Sequence, residues 1–372
     1  MSLNYVIWNV TPQIVDFGKF EVRYYSLLFA LGFVLGYIIL LRIFKKQGLT
    51  VELLDRLTVY MVLSTIIGAR LGHCLFYEFD YYIHHPLEII LPWRGTIGDD
   101  FEFTGFQGLA SHGAAIGILI GIYLFSRKTK SAYLWTMDMI VIVTALAGCC
   151  IRTGNLMNSE IYGNPTKTAH GFVFTNDLSR VLMHRYEGTI DNVSFTKSDS
   201  LNFPATKGVP LLVNIEFSKK VKDVARVEKF GKYQLAEDMK RFNYDNNVFL
   251  INGDSVNYKV ENRDRKLWLT ATIGGLPRYP TQIYEAVSYL LIFFILLGIF
   301  YALGNKRKDG FIFGVFLVLL FTARFLIEFI KQNQENFEDA MAINMGQLLS
   351  IPFVMAGIAL IIWKWPKSKE AA

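Results

Sequence analysis

Four polar residues of unlike chemistry, Arg152, Asn155, Asn158 and Glu160, close an otherwise apolar stretch in "ALAGCCIRTGNLMNSEIYG". A guanidinium presents a fixed fork of donors that matches phosphate or carboxylate oxygens, amides both donate and accept, and a carboxylate can hold a guanidinium in place. Comparable groups recur in apolar surroundings: Arg70 and His73, His112, Asp138, Gln282 with Glu285, and Arg324 with Glu328. An ionised side chain near the centre of a membrane costs about 2.5–3.5 kcal/mol on insertion scales, so such residues usually face the protein interior and mark a site.

The elements that must position them are membrane spans. With 372 residues, 52% hydrophobic and 19% charged, the chain is too apolar for a water-soluble protein of its length. Stretches that approach the roughly 20 apolar residues of a span lie at about 25–44, 57–77, 106–126, 134–152, 283–303, 310–330 and 346–364. The expected class is therefore an all-α polytopic membrane protein of about seven transmembrane helices. Met1 to Arg23 has no apolar core behind a basic start, so no cleavable signal peptide is expected. Basic residues follow alternate spans: Arg42, Lys45 and Lys46; Arg127, Lys128 and Lys130; Lys306, Arg307 and Lys308; Lys364, Lys367 and Lys369. The other connections are acidic, with Glu78, Asp80, Glu88, Asp99, Asp100 and Glu102, then Glu335, Glu338 and Asp339. Basic loops stay in the cytoplasm, which puts the N-terminus outside and the C-terminus inside. The net charge of +6 then reports topology, and no nucleic acid partner is needed to explain it.

This reading divides the chain into an N-terminal membrane portion (1–163), an external head domain (164–280) and a C-terminal membrane portion (281–372). Residues 84–104, with Trp93, are too short to cross and read as an interfacial arm. The head domain is expected to be a β-rich external insertion with one helix. "VPLLVNIEF" alternates Val213, Ile215 and Phe217, and "VFLINGDSVNYKV" offers two strands around an Asn252-Gly253 turn signal. Between them, residues 219–242 read as helix, weakened at Gly231. The charges of this domain read as solvated surface or, alternatively, as a hold on a protein substrate. Gly32 and Gly36, and Gly113, Gly117 and Gly121, have the four-residue spacing that lets helices approach closely in lipid. Cys74, Cys149 and Cys150 read as small packing residues, and the adjacent His84 and His85 bring no metal-ligand set, so no metal is expected.

Given that topology, Arg70, His112, Arg152, Glu285, Arg324 and Glu328 all fall in the outer half of the membrane, where they can converge. Separate explanations exist for some: Arg324 and Glu328 stand one turn apart and could neutralise each other, Arg70 could snorkel, and Asp138 reads as solvated near a cytoplasmic end. Snorkelling arginines would not need Asn155, Asn158, Gln282 and His112 beside them. Two or three guanidiniums at the rim of an apolar cavity suit a phosphate carried on a lipid whose acyl chains lie between helices. In this reading Arg152 grips the headgroup, Asn155 and Asn158 add polar contacts, and Glu160 orients a guanidinium. A transporter of anionic lipid or organic phosphate would want similar arginines, but the inverted repeat and broken helices of that class are not found.

The blocks "GARLGHCLFYE", "GLASHGAAIG", "IRTGNLMNSEIYG", "RYPTQIYEA" and "ARFLIEFIKQNQ...MGQLLSIP" resemble, in order and spacing, the bacterial prolipoprotein diacylglyceryl transferases. The resemblance covers nearly all of the membrane portion. It implies a seven-span inner-membrane enzyme without a cofactor, its active site near the periplasmic face. Such an enzyme moves the diacylglyceryl group of phosphatidylglycerol onto the lipobox cysteine of a prolipoprotein signal peptide, forming a thioether and releasing glycerol phosphate. The family's functional positions fall on Tyr25, His112, Arg152, Asn155, Glu160, Gly163, Arg324 and Glu328. Arg70, Asn158, Gln282 and Glu285 join the expected substrate-binding set from the residue reading. Departures are Tyr279 where His is usual, His73 where Tyr is common, Ala114 where Gly is common, and a longer external insertion. Since a thiolate is the attacking species, a base is required; His112 either serves as that base, binds the headgroup or orients an arginine.

Overall fold

The protein is described by a computed structural model over residues 5–16, 21–91, 93–94, 102–103, 108, 110–168, 170–198, 208–241, 247–251, 255–333, 338 and 341–366. Strands β1 (Val6–Trp8), β2 (Gln13–Asp16) and β3 (Glu21–Arg23) lead into α1 (Tyr24–Lys46) and α2 (Val51–Phe76). A short α3 (Phe79–Tyr82) and the strands β4 (Trp93–Arg94) and β5 (Glu102–Phe103) precede α4 (Ser111–Thr129) and α5 (Tyr133–Asn158). Then come β6 (Phe172–Phe174), α6 (Asn176–Arg185), β7 (Ile190–Lys197), β8 (Val209–Phe217), α7 (Val224–Lys229), α8 (Leu235–Arg241), β9 (Val248–Phe249), β10 (Asn257–Arg263) and β11 (Lys266–Gly275). The chain closes with α9 (Thr281–Leu303), α10 (Phe311–Glu328) and α11 (Met345–Trp363).

Six helices, α1, α2, α5, α9, α10 and α11, are long and apolar enough to cross a membrane, which makes this a multi-pass membrane protein. In the remaining expected span, 106–126, helix α4 begins at Ser111, and it is not among the six. Ser111 and His112 at its start and Arg127 and Lys128 at its end dilute its apolar centre.

The chain forms two compact units. The first comprises Met1–Leu31, Gly148–Leu290 and Phe321–Pro352; the second comprises Gly32–Ala147, Leu291–Leu320 and Phe353–Ala372.

In the second unit, α2 and α4 pack through their glycines. A Cβ added at Gly113 would stand 2.4 Å from the Gly68 carbonyl oxygen and 2.6 Å from Gly72 Cα, and one at Gly117 2.3 Å from the Ser64 carbonyl oxygen. These neighbours are backbone and cannot step aside, so the main chains themselves form the contact. Gly113→Val is expected to lower stability by about 3 kcal/mol, the upper end of overpacking costs. Thermal unfolding of the detergent-purified protein checks this, and an unchanged midpoint would contradict the packing.

Asp138 corrects an expectation. It is fully buried rather than solvated, and its carboxylate accepts from the amides of Gly310 (2.9 Å) and Phe313 (2.7 Å). The first amides of α10 lack helical acceptors, and a carboxylate from α5 satisfies them. Arg70 does not snorkel either. It is buried, stands over the Tyr82 ring, and donates through Nε to the Ile89 carbonyl (3.1 Å) and Nη2 to the Glu88 carbonyl (2.6 Å). The segment after α3 is thereby tied to α2. Where described, the arm consists of a single helical turn at Pro86–Ile89 and the β4–β5 pair.

The first unit contains a four-strand antiparallel ladder in the order β10-β11-β8-β7. Val209, Leu211, Val213, Ile215 and Phe217 alternate into its core, facing Leu267, Leu269, Ala271 and Ile273 of β11. This is the period-2 signature of a half-buried strand. The Asn252-Gly253 turn signal lies outside the described residues, but the strands around it do not form the expected hairpin. β9 and β10 both pair antiparallel with β11, as successive pieces of one edge. The tight hairpin is β10–β11 instead, turning at Asp264 and Arg265, both at positive φ (50° and 62°). Two helical stretches replace the single expected helix. One is α6; the other runs from α7 to α8 through a π-turn at Phe230–Gln234 that contains Gly231. A Cβ on Gly231 would meet Leu269 at 2.6 Å, so the residue that weakens the helix is the one that lets it sit on the sheet.

Candidate active site

The cluster belongs to the first unit. Helix α5 continues beyond its apolar stretch to Asn158, which puts Arg152 and Asn155 one turn apart on one face. Arg152 Nη1 donates to Asn155 Oδ1 (3.3 Å), and Asn155 Nδ2 donates to Glu160 Oε1 (2.7 Å). Asn158 Nδ2 reaches the same oxygen at 3.2 Å. Glu160 therefore reaches Arg152 through an amide. The direct partner is Glu285, fully buried, with Oε2 2.9 Å from Arg152 Nε.

Local backbone geometry explains this division. The chain leaves α5 through Ser159 and Ile161, at φ 53° and 59°, on either side of Glu160. A left-handed β-branched residue is an outlier that costs of order 1–3 kcal/mol and persists only where its surroundings hold it. The first residues of α9 do so. Gln282 Nε2 donates to the Glu160 carbonyl (2.7 Å) and Thr281 Oγ1 to the Ile161 carbonyl (3.0 Å). Glu285 follows one turn later on the same helix, so a single element fixes the loop and supplies the counterion of Arg152. Gly163 completes the turn: its amide donates to the Tyr279 carbonyl (2.8 Å), and an added Cβ would stand 2.6 Å from the Ile330 carbonyl oxygen.

Arg324 and Glu328 do not neutralise each other. Glu328 Oε2 lies 3.6 Å from Lys331 Nζ, and the same ammonium lies 3.6 Å from Glu285 Oε1. Arg324 has no carboxylate within ion-pair distance among the described residues. Lys331 outcompetes it because, just past the end of α10, it is almost completely buried and can serve two carboxylates at once. Tyr289, one turn beyond Glu285, and Lys331 both lie within electrostatic reach of Arg152 and Arg324. The ring of Tyr25 packs on Gly154, close enough to feel the charges of Arg152 and Glu160.

Lys331, Tyr289 and a further arginine were not singled out from the sequence. Arg278, buried, donates to Asn247 Oδ1 (2.5 Å), Gln332 Oε1 (3.0 Å) and the Gly163 carbonyl (3.4 Å), and covers the Tyr162 ring. It ties the sheet-bearing insertion to the loop after Glu160. Lys331 stands three residues after Glu328, an ion-pair spacing that the sequence does display.

Among the expected residues, Tyr25, Arg152, Asn155, Asn158, Glu160, Gly163, Gln282, Glu285, Arg324 and Glu328 all belong to this unit. His112 and Arg70 belong to the other. His112 is exposed at the start of α4, with its ring against Phe76 and Tyr77 (centroids 5.5 and 5.6 Å). Chemically, the cluster offers a guanidinium held by one buried carboxylate, a second without one, and buried acceptors, Asn158 Oδ1 and Gln282 Oε1, with no hydrogen-bond partner among the described residues. Such a set can receive an anion that carries hydroxyl groups.

Comparison with known proteins agrees with that chemistry. The profile of the family described as prolipoprotein diacylglyceryl transferase matches residues 12–363. A phosphatidylglycerol–prolipoprotein diacylglyceryl transferase of Tolumonas auensis is 34% identical over 96% of this chain and 96% of its own length. The proteins of the same description from Bacteroides fragilis and Burkholderia ambifaria are 32% and 27% identical, over 96% and 95% of this chain and 94% and 95% of their own lengths. On this match over nearly its whole length, the chain belongs to the prolipoprotein diacylglyceryl transferase family.

Proposed function

We propose that the Arg152–Arg324 cluster binds the phosphate of phosphatidylglycerol while its diacylglyceryl group passes to a prolipoprotein cysteine. The enzyme is a transferase of lipoprotein biosynthesis. The thiolate of the lipobox cysteine attacks the glycerol carbon that bears the phosphate ester, the S–C bond forms as the C–O bond breaks, and glycerol phosphate leaves with the electron pair. Negative charge grows on the departing phosphate, so guanidiniums in a poorly solvated site stabilise the transition state more than the bound diester. One observation carries this reading: Arg324 lies within a span without a carboxylate partner among the described residues, and Tyr289 and Lys331 lie within electrostatic reach of both it and an Arg152 already oriented by Glu285. The orphaned acceptors of Asn158 and Gln282 suit the hydroxyls of a glycerol headgroup.

Seven spans, an outside N-terminus and a periplasmic site form part of the proposal, supported by the alternating basic and acidic loops. So does the division into two membrane portions and an external head. The test is an assay of the purified protein with phosphatidylglycerol and a lipobox peptide. Glycerol phosphate should appear only when the peptide carries its cysteine; release with a Cys→Ser peptide, or none at all, would refute the reading.

The thiol proton needs an acceptor, and we assign that role to His112 on the chemistry of its imidazole and its exposure. His112→Asn is expected to lose activity by about a hundredfold, and raising the pH should restore part of it by increasing the thiolate fraction of the peptide. A pH profile parallel to that of the unaltered enzyme would remove the assignment.

A further inference from the structure

The second unit contains a cavity of about 520 Å³ whose lining includes Lys46, Trp135, Phe300, Tyr301 and Arg307. It lies where the basic end of α1 and the basic connection after α9 meet the start of α5, and none of these residues takes part in the transfer site. Arg307 is the unusual member. Its side chain is only 6% exposed, it stands over the Phe300 ring, and its Nε finds no hydrogen-bond acceptor among the described residues. The nearest carboxylate, Asp138, lies 3.8 Å away with its two oxygens already accepting from the Gly310 and Phe313 amides. Lys46 sits across the cavity over the Tyr301 ring at 4.2 Å. A desolvated guanidinium with an unused donor is a costly feature unless something accepts from it.

We propose that this cavity is a second anion site, in which Arg307 and Lys46 bind a phosphate group and the aromatic walls hold whatever apolar part carries it. Two cations of different shape, a fork and a point charge, match the several oxygens of a phosphate better than the single face of a carboxylate. The volume exceeds that of a bare phosphate ion, and Trp135, Phe300 and Tyr301 offer the apolar and amphipathic surface that a glycerol backbone and first methylenes require. The phosphate can come from an anionic lipid or from a small phosphate in solution, and the recognising chemistry is the same.

Hydrogen exchange on the full-length, detergent-purified protein tests this, following peptides that cover 42–49 and 300–310. The probes are dihexanoyl phosphatidic acid, inorganic phosphate and, as a zwitterionic control whose phosphodiester is balanced by its own ammonium, dihexanoyl phosphatidylcholine. Both peptides should become protected by phosphatidic acid but not by phosphatidylcholine, more strongly at low ionic strength. Protection by inorganic phosphate as well identifies the phosphate group as sufficient; protection by the lipid alone identifies a lipid-borne phosphate. Loss of a charge-assisted bond in Arg307→Gln should raise the half-saturating concentration at least about tenfold, and in Lys46→Gln about threefold. Lys46 is exposed, so that variant decides the matter should Arg307→Gln fail to fold. Absence of protection by either phosphate probe, equal protection by phosphatidylcholine, or an unchanged half-saturation in Lys46→Gln overturns the proposal.

Discussion

Arg152→Lys should lower diacylglyceryl transfer by at least about a hundredfold, the scale on which a single preorganised donor to a developing oxyanion acts. The substitution retains the charge, so bulk electrostatics predicts a mild effect. Geometry predicts a severe one. Arg152 uses Nε on Glu285 and Nη1 on Asn155, which leaves the rest of a rigid fork aimed by two partners. An ammonium has no second edge: once paired with Glu285 it cannot also present directed donors to a phosphate. The loss should fall mainly on kcat, because the interaction strengthens as the leaving group gains charge, whereas KM for phosphatidylglycerol should change less. Thermal stability should stay close to that of the unaltered protein, since Glu285 retains a counterion. Thioether formation on a lipobox peptide in lipid checks the rate, and full activity in the lysine variant would end the proposed role.

How much of this was legible beforehand depended on how far each residue's own surroundings announced it. Arg152, Glu285 and Arg324 stood out because a charge in an apolar run has few cheap explanations. The membrane helices followed from hydropathy, although α5 runs on to Asn158 and so carries Asn155 on the same face as Arg152. Partner assignments fared worse. Arg324 and Glu328 were adjacent on one helix, but pairing is decided by burial and by competition. Lys331, hidden in the polar run after α10, won both Glu328 and Glu285. Asp138 looked like a solvated terminus because its partners, two amides at the start of α10, are distant in sequence and have no side-chain signature. In the insertion the alternation of 209–217 gave β8 its bounds. The hairpin turned at Asp264-Arg265, where Arg carries no preference for positive φ, so turn chemistry pointed to the wrong place. Arg278 was missed for the opposite reason to Arg152: in a charged region, one more cation is unremarked until its burial is known.

Glu285→Gln should destabilise the protein by about 3 kcal/mol, the lower end of the cost of removing one partner from a buried ion pair. Glu285 is fully buried and answers two cations, so the amide leaves Arg152 without its anion and Lys331 with Glu328 alone. Lys331→Met by itself should also destabilise, because Glu328 then loses its only ion-pair partner among the described residues. The informative variant combines the two. With Glu285 neutral, Lys331 has already lost one of its two carboxylates, so replacing it by an apolar side chain of similar length should cost less than it does beside an intact Glu285, and the two losses fall short of additivity. Activity should follow a different rule: Arg152 remains without the carboxylate that orients it, and transfer should stay low in the combined variant however well it folds. Thermal unfolding and the transferase assay on the same three preparations separate these effects. Strictly additive stability losses would show that Lys331 and Arg152 do not share Glu285, and recovery of transfer in the double variant would show that the carboxylate balances charge without aiming the guanidinium.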